Sequence, residues 1–227
     1  MDDKYKYFYE NDASYCYPNT NILKNKLNIK DDKILFEKER QLVSLRTAEI
    51  LENPVKGNFD FEHLKNIHRH LFQDIFEWAG KIRMVDIAKT DLFCLAQHID
   101  NYATDVFGNL VKKNYFLELD YDAKLSELVN LFADINALHP FREGNGRTQR
   151  EFIEELAKVI GVDLDLTVVS QEDMIIASHD SINGSYDKFL NMFRKTARPL
   201  SKEEQLKAID DYIKSNELKN KIKNSIE

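Results

Sequence analysis

The chain has 227 residues, of which 43% are hydrophobic and 31% charged, a composition typical of a soluble globular protein with one good-sized core or two small ones. This excludes a disordered or collagen-like chain, and no apolar run approaches the roughly 20 residues that a membrane-spanning helix needs. With 32 basic and 39 acidic side chains the net charge is −7, so we expect neither a nucleic-acid nor a membrane partner.

Glycine and proline are scarce, with 7 and 4 residues respectively, which predicts a mostly helical protein. The first six residues lack the basic flank and apolar block of a secretory signal, so we expect a cytoplasmic protein. Two cysteines, Cys16 and Cys94, then indicate no disulfide framework and two small buried side chains.

The predicted elements begin with an aromatic N-terminal strap over residues 5–17, which we expect to press on the body of the protein. Apolar positions three and four residues apart predict helices over about 35–53 and 61–72. Residues 81–95 instead alternate polar with apolar side chains and predict a β-hairpin, the only one in the chain.

Helical spacing returns over residues 95–110 and 125–138, and a further helix begins in a glycine segment and ends near Gly161. Weaker helical patterns cover 171–181 and 186–195. Two charged stretches, 202–214 and 217–225, are typical of solvent-facing helix or a frayed tail. The sequence thus predicts one all-α domain over residues 1–198, with its core at about 60–196, and a short helical C-terminal extension over 199–227.

Residues 139–150 read His-Pro-Phe-Arg-Glu-Gly-Asn-Gly-Arg-Thr-Gln-Arg and carry the chemistry. Gly144 and Gly146 flank Asn145, so successive N–H groups can point into one concavity at the N-terminus of a helix, which suits phosphate. Arg147 and Arg150 lie three apart on that helix and can clamp further phosphate oxygens.

Two further side chains complete this segment. Glu143 brings one carboxylate beside the phosphate site, which is how Mg²⁺ is often held. His139 can act as a general base near neutral pH. An anion hole, a cation and a base are the parts needed for phosphoryl or nucleotidyl transfer. By contrast, His63, His68 and His70 do not share one helix face and are expected to be structural.

The segment resembles the signature of the Fic domain family, which reads His-Pro-Phe, any residue, Asp or Glu, Gly-Asn-Gly-Arg, two residues, Arg. Every fixed position is matched here. Residues 17–18 and 78–83 further resemble bacterial Fic toxins and the Fic domains of Bartonella effectors. The resemblance covers roughly residues 15–196 and implies a Fic-fold helical bundle with a small β-hairpin flap.

The resemblance implies a protein adenylyltransferase, which transfers AMP from ATP to a Ser, Thr or Tyr hydroxyl of a target protein and releases pyrophosphate. It implies His139 as the base and Glu143 as the ligand of Mg²⁺. It also implies a nucleotide-binding site at the remaining loop and helix positions, namely Gly144, Asn145 (its side chain included), Gly146, Arg147 and Arg150.

The flap, residues 86–93, would bind an extended stretch of the target protein by strand addition. Lys89 and Thr90 at its tip are candidates for contact with target or nucleotide. Many members of the family carry an inhibitory Ser or Thr followed four residues later by Glu, a pattern that no Ser or Thr matches here; Ser201 with Gln205 comes nearest. We therefore expect regulation by a separate small antitoxin protein that acts on Arg150.

Two other functions stay open on the sequence. One is a Fic-fold phosphotransferase or a transferase of another nucleotide, and the other is a nucleotide-binding module without catalysis. The identity of the target, the base of the nucleotide, the oligomeric state and the existence of an antitoxin are also open, as is translocation into a host cell.

Overall fold

Helices make up most of the computed structural model, which describes residues 13–88 and 92–226. The helices are α1 (Asp32–Glu52), α2 (Phe61–Phe72), α3 (Ile99–Lys112), α4 (Tyr121–Leu138), α5 (Asn145–Val159), α6 (Gln171–Ile182), α7 (Asp187–Thr196), α8 (Lys202–Tyr212) and α9 (Asn216–Ile226). The predicted all-α fold class is therefore confirmed. Within the described ranges, no helix is both long enough and apolar enough to cross a membrane.

Short polar side chains fix where five of the helices begin. Asp31, Asp60, Asp120, Ser170 and Ser201 each accept a hydrogen bond from the backbone N–H three residues on. Each such cap satisfies one of the N–H groups that a helix leaves without a partner in its first turn, and contributes about 1 kcal/mol.

The core lies around α4 and α5, the two helices that flank the glycine segment. α5 packs against α2, α4 and α8, and α4 packs against α3, α6 and α7. Phe132 of α4 meets the ring of Phe189 edge-on at 4.9 Å, and Phe152 of α5 meets Phe59 at 5.6 Å. The segment between α4 and α5 is thus anchored in the best-packed part of the protein.

A small antiparallel sheet joins β1 (Val162–Leu164) to β2 (Ala197–Pro199), with Val162 opposite Pro199 and Leu164 opposite Ala197. The sequence analysis missed this sheet because strands of three residues are too short to show an alternating pattern.

Among the residues that the structure describes, the β-hairpin predicted over residues 81–95 is paired only near its tip. Its arms are joined by a bridge between Ala88 and Leu92 and by a bond from Phe93 N to Ile87 O of 3.3 Å. Further along the arms, the backbone bonds elsewhere: Arg83 N donates to Pro140 O at 2.9 Å and Cys94 N to Ala137 O at 3.0 Å. The described arms therefore form no continuous ladder, because they pair with the end of α4 and the loop after it.

Part of the N-terminal strap can be located. Residues 1–12 lie outside the described residues, but Tyr15 and Cys16 are buried, and the Tyr15 ring meets Trp78 edge-on at 5.7 Å. The end of the strap presses on the body, as predicted. Neither cysteine forms a disulfide within the described residues; Cys16 is buried and Cys94 half-buried.

The C-terminal helices are part of the core. Ile209 on α8, Ile213 just after it and Ile222 on α9 are fully buried. Gly57 N donates to Tyr212 O at 3.0 Å, and Lys214 N donates to Gly57 O at 2.8 Å. These two backbone hydrogen bonds hold the segment before α2 against the end of α8. The structure forms the helices expected in this extension. The expectation that they only face solvent, or fray, was wrong, because a few apolar side chains on one face suffice to bury a charged helix.

We predict that Ile209→Ala destabilises the protein by about 2 to 5 kcal/mol, because it leaves a cavity in the core between α5 and α8. The matched control is Leu45→Ala on α1, whose side chain is 64% exposed and whose loss costs within about 0.5 kcal/mol. Urea unfolding followed by circular dichroism measures both. Equal midpoints for the two variants would contradict the packing of α8.

Candidate active site

The loop after α4 is bounded by two left-handed residues. His139 ends α4 with φ 44° and ψ 58°, and Gly144 precedes α5 with φ 84°. The Asn145 side chain, just after Gly144, closes the loop on itself: Oδ1 accepts from Phe141 N at 2.9 Å and Nδ2 donates to Phe141 O at 2.7 Å. Both polar atoms therefore hold the loop, and the contact of this side chain with phosphate stays a prediction.

A buried imidazole, that of His68, bonds to the loop between α4 and α5. His68 of α2 accepts at Nδ1 from Gly80 N at 2.7 Å and donates from Nε2 to Glu143 O at 3.0 Å. Its ring lies between those of Phe141 and Phe72, at 3.8 Å and 4.7 Å between centroids. Burial lowers the pKa of His68 to about 3, so the ring is neutral and can make both bonds.

His139 is held in the orientation of a base. Its ring is 3% exposed, and Nδ1 lies 3.2 Å from Asn136 O. Because a carbonyl can only accept, Nδ1 carries the proton, which leaves the lone pair on Nε2. The Phe93 ring stacks on the imidazole at 3.7 Å with 15° between the planes.

The start of α5 forms the expected cradle. Thr148 N is bonded to Gly144 O at 3.1 Å, so the N–H groups of residues 145–147 fall before the first full turn and face outward, with the positive end of the helix dipole. A Cβ at Gly144 would lie 2.3 Å from the Phe72 ring, whereas a Cβ at Gly146 would meet only Arg150, at 3.8 Å. Gly144 is needed by the fold, and Gly146 keeps the cradle open.

The two arginines differ in their surroundings. Arg147 donates to the buried carboxylate of Glu39 on α1, lies 3.9 Å from Glu143 and sits over the Phe72 ring. Arg150 forms no ion pair with any residue that the structure describes, and burial lowers its pKa from the usual value. An anionic phosphate would offset the free-energy cost of burying the Arg150 charge, so Arg150 is the better placed of the two to bind one.

The residues present fit a magnesium ion held together with phosphate. Glu143 offers one carboxylate, whose Oε1 accepts from Gly144 N at 2.9 Å. Across residues 13–88 and 92–226, no cluster of three or more His, Cys, Asp or Glu could hold a metal alone. One carboxylate beside a phosphate cradle is the set that Mg²⁺ uses with nucleotides, since it takes its remaining ligands from phosphate and water.

These groups line one cleft with a volume of about 1160 Å³. His139, Glu143, Gly144, Gly146 and the two arginines form one side, and α6 contributes the apolar Met174, Ile175 and Ile182 to the other. The structure thus brings the candidate base together with the candidate phosphate-binding residues that the sequence predicted, except Asn145, which does not line the cleft. Lys89 and Thr90 lie outside the described residues.

Two carboxyl groups of α5 also line this cleft. Burial raises the pKa of Glu151 to about 8 and that of Glu154 to about 7. Glu154 also accepts from Leu166 N at 2.6 Å. Near neutral pH Glu151 is thus mostly protonated and Glu154 about half protonated, which reduces their repulsion of an anionic ligand.

A mostly helical fold with a base and a phosphate cradle on one loop between two central helices defines the class of Fic domains. The Fic/DOC family model matches residues 58–157. The chain is 34% identical over 197 residues to the probable protein adenylyltransferase Fic of Escherichia coli, covering 86% of this chain and 96% of that one. The chain belongs to the Fic/DOC family.

Longer relatives and solved structures agree. Protein adenylyltransferase VbhT of Bartonella schoenbuchensis is 38% identical over 191 residues, which cover 84% of this chain and 40% of VbhT. The chain thus spans less than half the length of that relative. The crystal structure of BepC from Bartonella tribocorum with bound AMPPNP is 27% identical, with a TM-score of 0.76 over 83% of this chain and 98% of that one.

Sequence reasoning missed the supports of the site. Glu39 stands in a charged helix without any distinguishing pattern, and His68 was expected only to be structural. Arg83 belongs to the 78–83 stretch that carried part of the resemblance, but no role was expected for it. These residues act across 56 to 108 positions of sequence, so no local spacing signals them.

We predict that Gly146→Ala folds normally but weakens ATP binding at least tenfold, because its methyl group projects into the cradle. Gly144→Ala should instead unfold the loop, since its Cβ would collide with Phe72 and its φ is strained for alanine. Calorimetric titration with ATP and thermal unfolding separate the two effects. Unchanged ATP affinity in a folded Gly146→Ala would contradict the cradle.

We predict that the free energy of unfolding falls less with rising pH in Glu151→Gln than in wild type. Because the pKa of Glu151 in the folded protein, about 8, lies above its ordinary value of 4.5, the folded state holds more protons than the unfolded chain between these values. Stability therefore falls as pH rises through this window. The variant should equal wild type at pH 4 and exceed it at pH 8 by up to about 4 kcal/mol, because each pH unit between the two pKa values costs the wild type about 1.4 kcal/mol. This corresponds to roughly 8 to 16 °C in Tm.

Scanning fluorimetry across this pH range provides the measurement. Glu172→Gln, at an exposed position of α6, is the matched control and should keep the wild-type profile. Parallel curves for Glu151→Gln and wild type would show that Glu151 titrates normally.

Proposed function

We propose that this chain is a Mg²⁺-dependent protein adenylyltransferase that transfers AMP from ATP to a Ser, Thr or Tyr hydroxyl of a target protein. The observation that carries the proposal is the placement of His139 and the α5 cradle on the walls of one cleft. The relatives named protein adenylyltransferase and the BepC structure with AMPPNP support it.

In this proposal the polyphosphate of ATP lies at the N-terminus of α5. The N–H groups of residues 145–147 and the Arg150 guanidinium bind its oxygens. Arg147, fixed by Glu39, offers its remaining N–H groups to the same anion. Glu143 would hold Mg²⁺, which neutralises phosphate charge when bound.

His139 Nε2 then takes the proton of the target hydroxyl as its oxygen attacks the α-phosphorus. The new bond joins the hydroxyl oxygen to the α-phosphorus, and the bond to the β-phosphate oxygen breaks, so that pyrophosphate leaves. The Nδ1 bond to Asn136 O supports the imidazolium that forms.

The target would dock on the flap, residues 86–93, in extended conformation. Two exposed apolar side chains support a protein partner: Met84, just before the flap, is 75% exposed, and Leu92, near its end, is 59% exposed. Regulation would come from a small antitoxin that places a carboxylate on Arg150, a cation that the described chain leaves without an ion pair.

We predict that a bacterial lysate incubated with the protein, Mg²⁺ and ATP labelled at the α-phosphate acquires labelled proteins. ATP labelled at the γ-phosphate should leave no label. His139→Ala should lower the rate at least 100-fold, because a general base contributes about 10² to 10⁴.

The variant His98→Ala is the matched control, since His98 is exposed and lies on a 3-10 turn before α3. It should keep the wild-type rate. Label from the γ-phosphate would establish a phosphotransferase instead, and tight ATP binding without any labelled protein would establish a binding module.

A further inference from the structure

One buried arginine connects the candidate base to the flap. Arg83 is 1% exposed. Its Nε donates to His139 O at 2.8 Å and its Nη1 to Val85 O at 2.7 Å, while Nη2 donates to Cys94 O. Val85 directly precedes the flap and Cys94 directly follows it, so one guanidinium joins both ends of the flap to the residue that carries the base.

These bonds need the geometry of a guanidinium. Its planar fork presents donors in three directions, whereas an ammonium group is a single point on a flexible stem. Because donor and charge are buried together, each bond is charge-assisted, and removing the donor leaves buried carbonyl groups without a partner. Lysine at this position would keep the charge but could not bridge three separated carbonyl groups.

A second contact between flap and base comes from Phe93. Its ring lies nearly parallel to the His139 imidazole, at 3.7 Å, and is itself buried. The ring therefore covers one face of the base and limits its rotation. Backbone bonds from Arg83 N to Pro140 O and from Cys94 N to Ala137 O close the same unit.

We propose that Arg83 and Phe93 are positioning residues that hold His139 in register with the flap. A target segment docked on the flap would then meet a base whose distance and angle are already set. Attack depends on such alignment, and a displacement of about 1 Å can cost on the order of 100-fold in rate. The inference rests on the proposed function, since it assigns the target to the flap and the base to His139.

If Arg83 and Phe93 position the base, their substitution should change kcat but not the KM for ATP. ATP binds at the start of α5, which neither side chain contacts in the described structure. Arg83→Lys and Phe93→Leu should therefore lower kcat tenfold or more while the KM for ATP stays within about twofold. Phe93→Tyr, which keeps a ring for stacking, should recover most of the lost rate.

A spectroscopic signature tests the positioning without any turnover. In wild type, the ring current of Phe93 should displace the His139 imidazole proton signals in NMR spectra, with His139→Ala used for assignment. Phe93→Leu should return these signals towards those of a free histidine, and Arg83→Lys should shift or broaden them. Arg46→Lys, which alters an arginine bonded to Asp74, is the control for general destabilisation.

The outcomes are distinct. The proposal is supported if the His139 signals are displaced by the ring current in wild type, change in the variants, and the variants lose kcat. It is also supported if the signals behave in this way but wild type transfers no AMP, a result that overturns only the proposed function. Unchanged His139 signals in folded Arg83→Lys and Phe93→Leu would overturn it. So would a KM increase at constant kcat, or an equal kcat loss in Arg46→Lys. If Arg83→Lys fails to fold, the Phe93 pair decides alone.

Discussion

The architecture of the site depends on one buried imidazole. His68 bonds at once to the turn that leads into the flap, through Gly80 N, and to the loop before α5, through Glu143 O. It can do so only as a neutral ring, which complete burial between Phe72 and Phe141 ensures. These two segments are therefore set by a buried residue that does not itself line the cleft.

The residues around His68 include a strained backbone conformation and buried charges, both of which cost free energy. A left-handed histidine costs about 1 to 3 kcal/mol when nothing local favours it, and Arg83 and Glu39 place charges away from water. Each is satisfied by specific partners: the bond from His139 N to Ile135 O at 3.0 Å, the three carbonyl groups around Arg83, and the Arg147 guanidinium beside Glu39. The core around α4 and α5 supplies the stability that such a loop requires.

The sequence predicted the helical class, the glycine cradle and the grouping of His139, Glu143 and Arg150, because these are local: each follows from spacing within 12 residues. It could not predict contacts that depend on tertiary structure. Asn145 was expected in the anion hole, but the two bonds from its amide to the backbone of Phe141 were not expected. The C-terminal helices looked solvent-facing, yet Ile209 and Ile222 complete the core. The flap looked like a simple hairpin, yet its arms bond to the base loop.

In the proposed mechanism, one cleft positions ATP at the start of α5 and His139 beside its α-phosphorus. Tandem mass spectrometry of proteins from cells expressing this chain tests this arrangement. We expect peptides that carry AMP on a Ser, Thr or Tyr hydroxyl, present with wild type and absent with His139→Ala. Peptides carrying phosphate alone, or AMP adducts that persist in His139→Ala, would contradict it.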